Sequence, residues 1–275
     1  MISLITSIIP LIFISFFKGK SIEFNLLALT IVNVLAVNVP LLFVSGILFK
    51  SKMLFECVPS FKYFDINTAK SMFRFGLQFF LAQIFFMILT STNEIIITKI
   101  FSAKYVVEYS IYFRLFTVIG SLFMLALTPI WSKVTKDLAE KKYYKISRTN
   151  HFLYILSGLA GVAEIAMVFC CQFLVNVWLK DEAITICYST AGIFAFYGIM
   201  YIFNIVLTTI ANGMANLYTQ IIFYGIGAIL KIPVIYILSS YALNWNMVVM
   251  YNGIVFLIFC IVQMIWIEKK IKDLI

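Results

Sequence analysis

Three charged residues interrupt long apolar stretches of this sequence, and they are the strongest candidates for chemistry. Arg114 lies in the segment YSIYFRLF, and Glu164 and Lys231 lie in equally apolar surroundings. A charged side chain at the centre of a membrane costs about 2.5–3.5 kcal/mol on insertion scales, so such residues usually pair with one another or face a hydrated cavity. The chemistry these residue types offer is charge recognition.

The sequence leaves two interpretations of these charges open. In the first, Glu164 forms a buried ion pair with Arg114 or Lys231 that only holds helices together. In the second, all three residues face a hydrated cavity in which two cations outnumber one anion. A net positive cavity suits an anionic cargo such as a diphosphate.

Uncharged polar residues accompany the charges at helical spacing. Side chains four, seven and eleven positions apart share one face of a helix. A stripe that contains only Ser, Thr and Gly is usually a packing surface between membrane helices. Charged and amide side chains in the stripe favour a binding surface instead. We expect a substrate cavity to be lined by Arg114, Lys231, Glu164, Tyr197, Tyr201, Asn204 and Gln83. Pro233, beside Lys231, predicts a kink.

Long apolar runs must position these residues. The chain is 63% hydrophobic and 12% charged. A spanning helix needs about 20 mostly apolar residues, and the sequence contains eight such runs, at about 1–17, 24–49, 72–98, 105–131, 150–178, 183–211, 217–241 and 245–267. The composition therefore predicts an all-α integral membrane protein, a polytopic bundle of about eight transmembrane helices.

Basic residues in the connections predict the orientation, because cytoplasmic loops carry an excess of Lys and Arg. Fourteen lie in three segments that share one side: Lys50, Lys52, Lys62, Lys70 and Arg74; Lys133, Lys136, Lys141, Lys142, Lys145 and Arg148; Lys269, Lys270 and Lys272. Five lie on the opposite side: Lys18, Lys20, Lys99, Lys104 and Lys180. We expect both termini to be cytoplasmic, and we expect the segment 132–149 to be an amphipathic loop on anionic lipid.

Other classes of function find little support in the sequence. The five cysteines and the single histidine, His151, have no metal-ligand spacing. Glycine-rich phosphate loops and nucleophile elbows are absent. The net charge of +9 is explained by membrane topology, so a nucleic-acid partner is not needed. We therefore expect neither an enzyme nor a cofactor.

One segment resembles a known family. The stretch FRFGLQFFLAQIFFMILTSTNEIIITKIFSAKYVVEYSIYFRLFTVIGSLFMLALTPIWSKVTKDLAEKKYYKI is similar to the start of the second half of bacterial O-antigen flippases, polysaccharide exporters of the multidrug/oligosaccharidyl-lipid/polysaccharide exporter superfamily. The resemblance lies in FFLAQ, the polar pair before III, YSIYFRLF and TPIWS. The family more often has Asp-Asn where this chain has Asn93-Glu94.

The resemblance implies a fold and a function. Such proteins have twelve or more helices in two lobes and move undecaprenyl-diphosphate-linked oligosaccharides across the inner membrane. Residues 1–49 would end an N-terminal lobe that lacks about four helices, 50–71 would be a cytoplasmic linker, and 72–275 would form a six-helix C-terminal lobe. Arg114 and Lys231 would attract the diphosphate, Glu164 would balance them or couple to an ion, and Tyr197, Tyr201 and Asn204 would bind sugar hydroxyls. Partners would be this lipid-linked substrate, membrane lipids and other polysaccharide-assembly proteins.

Three alternatives remain. A cation-coupled drug antiporter of the same superfamily would favour acidic residues within the membrane. A membrane-embedded polymerase or ligase would carry a large external loop, which the short outer connections do not provide. A truncated remnant that no longer transports is the third.

Overall fold

The computed structural model describes residues 12, 22–50, 60–180, 184–241 and 244–274, and within them it is helical. The helices are α1 Ile22–Lys50, α2 Ile66–Ser91, α3 Asn93–Ile96, α4 Lys104–Ala139, α5 Tyr143–Leu179, α6 Tyr188–Gly213, α7 Tyr218–Ser240 and α8 Met247–Leu274. A 3-10 turn, Phe61–Tyr63, precedes α2, and a π-helical turn, Ile97–Phe101, follows α3.

Seven of these helices are long and apolar enough to cross a membrane: α1, α2 and α4–α8. They match seven of the eight predicted runs, and the described part of the chain contains no strand. The prediction of a polytopic helical membrane protein is confirmed. The first predicted run, 1–17, lies outside the described residues except for residue 12.

The chain divides into two compact units, residues 1–69 and 70–275. In the first, α1 contains Pro40 and leaves most of its apolar side chains exposed, with Ala36 buried. Exposed apolar side chains on several faces are typical of a helix that lies in lipid. The predicted division into lobe end, linker and six-helix lobe stays a prediction.

In the second unit, α6 is the most deeply buried helix and packs against α4, α5 and α8. Its small residues Ala191, Ala195, Gly198, Ala211 and Gly213 let the neighbouring helices approach closely, as in many membrane bundles. α7 packs against α8 on one side of this centre. The site described below is built largely on α6 and its neighbours.

The basic segment 132–149 is not a loop. α4 continues to Ala139, and α5 begins at Tyr143. The turn between them places Lys141 at φ 56° and holds Glu140 in ion pairs with Lys136 and Lys142. Solvent on the polar faces allows both helices to extend beyond their apolar stretches, so the prediction of a loop was wrong in its secondary structure.

Candidate functional site

Two adjoining cavities lie along α6 between α2 and α4. The first, here the Glu94 cavity, has a volume of about 390 Å³ and is lined by Phe86, Thr90, Ser91, Glu94, Tyr109, Phe113, Thr117, Ser121, Tyr197 and Tyr201. The second, here the amide cavity, has a volume of about 320 Å³. Phe86 and Tyr201 line both cavities and form a shared wall.

The amide cavity is lined by polar side chains without charge and by aromatic rings. Carboxamides come from Gln83, Asn204, Asn212 and Gln220, and hydroxyls come from Thr128, Tyr201, Thr208, Thr209 and Tyr224. The rings of Phe79, Phe86 and Trp131 complete much of the wall, with Ala82, Met124, Leu127 and Ile205 between them. Amides and hydroxyls both donate and accept hydrogen bonds, so this surface fits a polyhydroxylated molecule.

Helical spacing on α6 brings the predicted tyrosines and asparagine to the cavities. The rings of Tyr197 and Tyr201 stack with centroids 6.0 Å apart. Tyr201 lies over Gly120 of α4, where a Cβ atom would stand 2.6 Å from the ring. Glycine at position 120 therefore makes room for the wall between the two cavities.

Hydrogen bonds hold several amides of the second cavity in place. Asn204 donates from Nδ2 to the Tyr224 hydroxyl at 2.6 Å, and Gln220 donates from Nε2 to Asn212 Oδ1 at 2.8 Å. Gln83 is exposed and makes no hydrogen bond within the described residues. Its amide can therefore form hydrogen bonds with a ligand in the cavity.

An aromatic pair joins α2 and α4 at the amide cavity. The rings of Phe79 and Trp131 stack at a centroid distance of 5.4 Å and an interplanar angle of 21°. Pro129 lies within α4 two residues before Trp131. Because proline removes a backbone hydrogen bond from a helix, this end of α4 is a natural position for bending.

Lys231 does not line either cavity. Its ammonium is buried in what we call the Lys231 cluster, where it donates to the Leu89 carbonyl, to Thr92 Oγ1 at 3.0 Å and to Asn93 Oδ1 at 2.6 Å. These acceptors lie where α2 ends, and a helix C-terminus carries partial negative charge that favours a cation.

The cluster extends to α8 and to the first cavity. Asn252 donates from Nδ2 to the Leu89 carbonyl at 3.0 Å and to Asn93 Oδ1 at 2.9 Å. Asn93 in turn donates to the hydroxyl of Tyr109, which lines the Glu94 cavity. Asn252 is a residue that the sequence reasoning missed, and the signal that could have found it is an amide within an otherwise apolar span.

Arg114 is exposed and lines neither cavity, although its helix neighbours Phe113 and Thr117 line the Glu94 cavity. Ser110, Thr117 and Ser121 lie at helical spacing from Arg114, and the structure places Thr117 and Ser121, but not Ser110, in the lining of that cavity. These three hydroxyls also donate to carbonyls one turn earlier in α4. Arg114 is therefore next to a cavity residue in sequence but is not part of the lining.

Glu164 is fully buried and lines neither cavity. Within the described ranges, the ion pairs are Lys136–Glu140 and Lys142–Glu140, so Glu164 pairs with neither Arg114 nor Lys231. The ion-pair interpretation of the sequence is thus not realised in this structure. The net positive cavity is not realised either: among the described residues, Glu94 in the first cavity is the one charged side chain in either lining.

Comparisons with known proteins identify one related family. A family described as polysaccharide biosynthesis protein matches residues 12–157, which is just over half of the chain. The match includes Gln83, Glu94 and Arg114 and ends before Glu164 and Lys231. No curated protein and no solved structure matches the chain.

Proposed function

Because this chain belongs to the polysaccharide biosynthesis protein family, we propose that it moves undecaprenyl-diphosphate-linked oligosaccharide units across the bacterial inner membrane. The observation that carries this proposal is the composition of the amide cavity, which combines four carboxamides, five hydroxyls and aromatic rings. Sugar hydroxyls require groups that both donate and accept, and sugar C–H faces pack on aromatic rings.

The diphosphate of the cargo has a candidate partner in Arg114. This side chain is exposed, makes no ion pair within the described part of the chain and follows Phe113 of the Glu94 cavity. A guanidinium binds phosphate oxygens through two parallel hydrogen bonds. We assign Arg114 to the diphosphate, while the lipid tail stays in the bilayer. Lys231 donates to three protein acceptors, so it has no N–H donor left for the cargo.

Translocation requires binding and gating, with no bond made or broken. In this account Tyr201, Asn204 and Gln83 contact the sugars, and separation of Phe79 from Trp131 opens the cleft between α2 and α4. Bending at Pro129 would supply that movement. The protein would act as a transporter and not as an enzyme.

The proposed location is the inner membrane with both termini in the cytoplasm, which the excess of basic residues on one side supports. The basic ends of α4 and α5 would then contact anionic lipid headgroups. Other polysaccharide-assembly proteins are the expected protein partners.

A second candidate is cation-coupled drug export. Glu94 lines a cavity with five aromatic and four Ser or Thr side chains, so it offers an organic cation a carboxylate close to several rings. Drug resistance that depends on Glu94 but not on Gln83 would favour this candidate.

The test compares two glutamines of α2. Gln83 lines the amide cavity, whereas Gln78 does not and makes a 3.3 Å hydrogen bond to Tyr218. In a strain that depends on this gene, expressed from its intact locus, Gln83→Leu should reduce surface polysaccharide and cause lipid-linked precursor to accumulate. Gln78→Leu is the matched control and should retain surface polysaccharide. Equal activity of both variants would contradict the assignment of the amide cavity to the cargo.

A further inference from the structure

Glu164 on α5 is a carboxyl group for which the proposed function has no use. It is 0% exposed, and neither Oε1 nor Oε2 has a hydrogen-bond donor within the described residues. An ionised carboxylate in such a place would lose its hydration without compensation, at a cost of several kcal/mol.

The close packing around Glu164 is provided by a glycine. A Cβ atom at Gly198 of α6 would lie 2.8 Å from both Cδ and Oε2 of Glu164, so the carboxyl occupies the space that a side chain at position 198 would fill. The Phe116 carbonyl oxygen of α4 lies 2.8 Å from the same Cβ position. The carboxyl and this carbonyl therefore border the same space over Gly198, where three helices meet.

A carbonyl oxygen is an acceptor, so it distinguishes the two forms of the acid. It repels a carboxylate, but it accepts a hydrogen bond from a protonated carboxyl, using the lone pair that a helical carbonyl has to spare. Burial disfavours the charged form for the same reason. Both effects favour the neutral acid.

Among the residues that the structure describes, no charge near Glu164 offsets these effects. One turn away on α5 lie Ala160, Gly161, Met167 and Val168, and α6 contains no charged residue. On α8 the charged residues begin at Glu268, in the last two turns. On α4, Arg114 is exposed and makes no ion pair with Glu164. The phenols of Tyr112 on α4 and Tyr197 on α6 do not hydrogen-bond to the carboxyl.

We propose that Glu164 is a proton-binding site within the membrane, holding a neutral carboxyl that donates to the Phe116 carbonyl across the face of Gly198. A metal cation needs several oxygen ligands, and among the described residues no group of acidic, histidine or cysteine side chains could hold one. Release of the proton requires water or a cation to enter between α4, α5 and α6, so proton binding is linked to the separation of these helices. If proton binding and release also drive the movement of the cargo, that further role rests on the proposed function.

The first test is chemical and does not depend on transport. Dicyclohexylcarbodiimide, which partitions into membranes, adds to a protonated carboxyl: the acid proton goes to nitrogen, and the O-acylisourea rearranges to a stable N-acylurea with no leaving group. In the purified chain, mass spectrometry should locate this adduct on Glu164. Glu164→Gln should abolish the adduct, and Glu94→Gln, a matched change at an exposed carboxylate, should retain it.

The second test covers the case in which the reagent cannot reach the site. The infrared carbonyl stretch of a protonated carboxylic acid should be present at neutral pH, insensitive to Na⁺ and absent in Glu164→Gln.

Thermal unfolding is a third measurement. Glu164→Gln should unfold at the wild-type temperature, because the amide replaces one neutral group by another and keeps an N–H donor for the Phe116 carbonyl. A carboxylate band assigned to Glu164, or stabilisation of the wild type by Na⁺ that Glu164→Gln loses, would overturn the proposal. Loss of surface polysaccharide in Glu164→Gln would show only that transport depends on this residue, and it would not test whether Glu164 binds a proton.

Discussion

The side-chain nitrogen of Lys231 lies 2.6 Å from the amide oxygen of Asn93, and its three acceptors match the three N–H donors of an ammonium. It is held by oxygens at the end of α2, and Asn252 bonds to two of the same oxygens. The sequence suggests a cargo-binding role for Lys231. The structure gives it a different environment, in which it joins α7 to the end of α2.

Substitution of Asn93 tests the charge on Lys231. Asn93→Asp would place an anion beside the ammonium, and the Tyr109 hydroxyl could rotate to donate to it, so the variant should be at least as stable as the wild type. Asn93→Leu would leave the ammonium short of an acceptor and should cost about 1–3 kcal/mol. Thermal unfolding in detergent measures both. If Asn93→Asp were the less stable of the two, Lys231 would not be a cation in this cluster.

Replacement of Arg114 separates binding from stability. Because the side chain is exposed and makes no ion pair in the part of the chain described, Arg114→Gln should leave the unfolding temperature unchanged. Surface polysaccharide should fall strongly, and Arg114→Lys should restore part of it, since an ammonium keeps the charge but loses the two parallel hydrogen bonds. Full activity of Arg114→Gln would exclude a role in binding the diphosphate.

The contact of Phe79 with Trp131 predicts a gate. In a variant without the native cysteines, Phe79→Cys combined with Trp131→Cys should crosslink with a short bifunctional thiol reagent and block surface polysaccharide. Each single substitution, treated in the same way, is the control. Continued transport by a quantitatively crosslinked protein would show that α2 and α4 do not need to separate at this point.

Cys187 gives a native test of the topology. It is exposed in the connection before α6, and hydrogen bonds from Ser189 and Thr190 lower the pKa of its thiol to about 7. Its thiolate is therefore present above about pH 7 and is lost as the pH falls below that value. An impermeant maleimide should label it in intact spheroplasts, faster at pH 8 than at pH 6, and Cys187→Ser should remove this signal. Labelling only after permeabilisation would reverse the predicted orientation. The sequence predicts that Asp181, six residues earlier, is accessible from the same side, and that residue lies outside the described part of the chain.

Hydropathy predicts most of the helices but not where they break or extend. The predicted run 72–98 continues through the actual end of α2 at Ser91, because the apolar residues 95–97 follow the break at Thr92 without a change in hydropathy. α4 extends eight residues beyond the predicted end at 131 because its basic last turns are solvated.

Helical spacing predicts a shared polar face on α6, and the structure places Tyr197, Tyr201 and Asn204 of that face in the linings of the two cavities. Spacing could not predict the partners of Lys231, or that Glu164 has no hydrogen-bond partner in the part of the chain that the structure describes. Those depend on a backbone carbonyl, Leu89, and on packing between helices distant in sequence. An apolar run predicts how deep a residue lies in the membrane. It does not predict which neighbouring helix the side chain of that residue contacts.

Reconstitution tests the central claim most directly. The purified chain, expressed from its intact locus, is placed in vesicles with undecaprenyl-diphosphate-linked oligosaccharide, and the sugar exposed on the outer leaflet is measured with an impermeant lectin or glycosidase. The account predicts that the wild-type protein moves the lipid-linked oligosaccharide between the leaflets and that vesicles without protein do not. The rate of this movement should be lower with Gln83→Leu and unchanged with Gln78→Leu. A folded, correctly inserted wild-type protein that leaves the oligosaccharide in its original leaflet would contradict it.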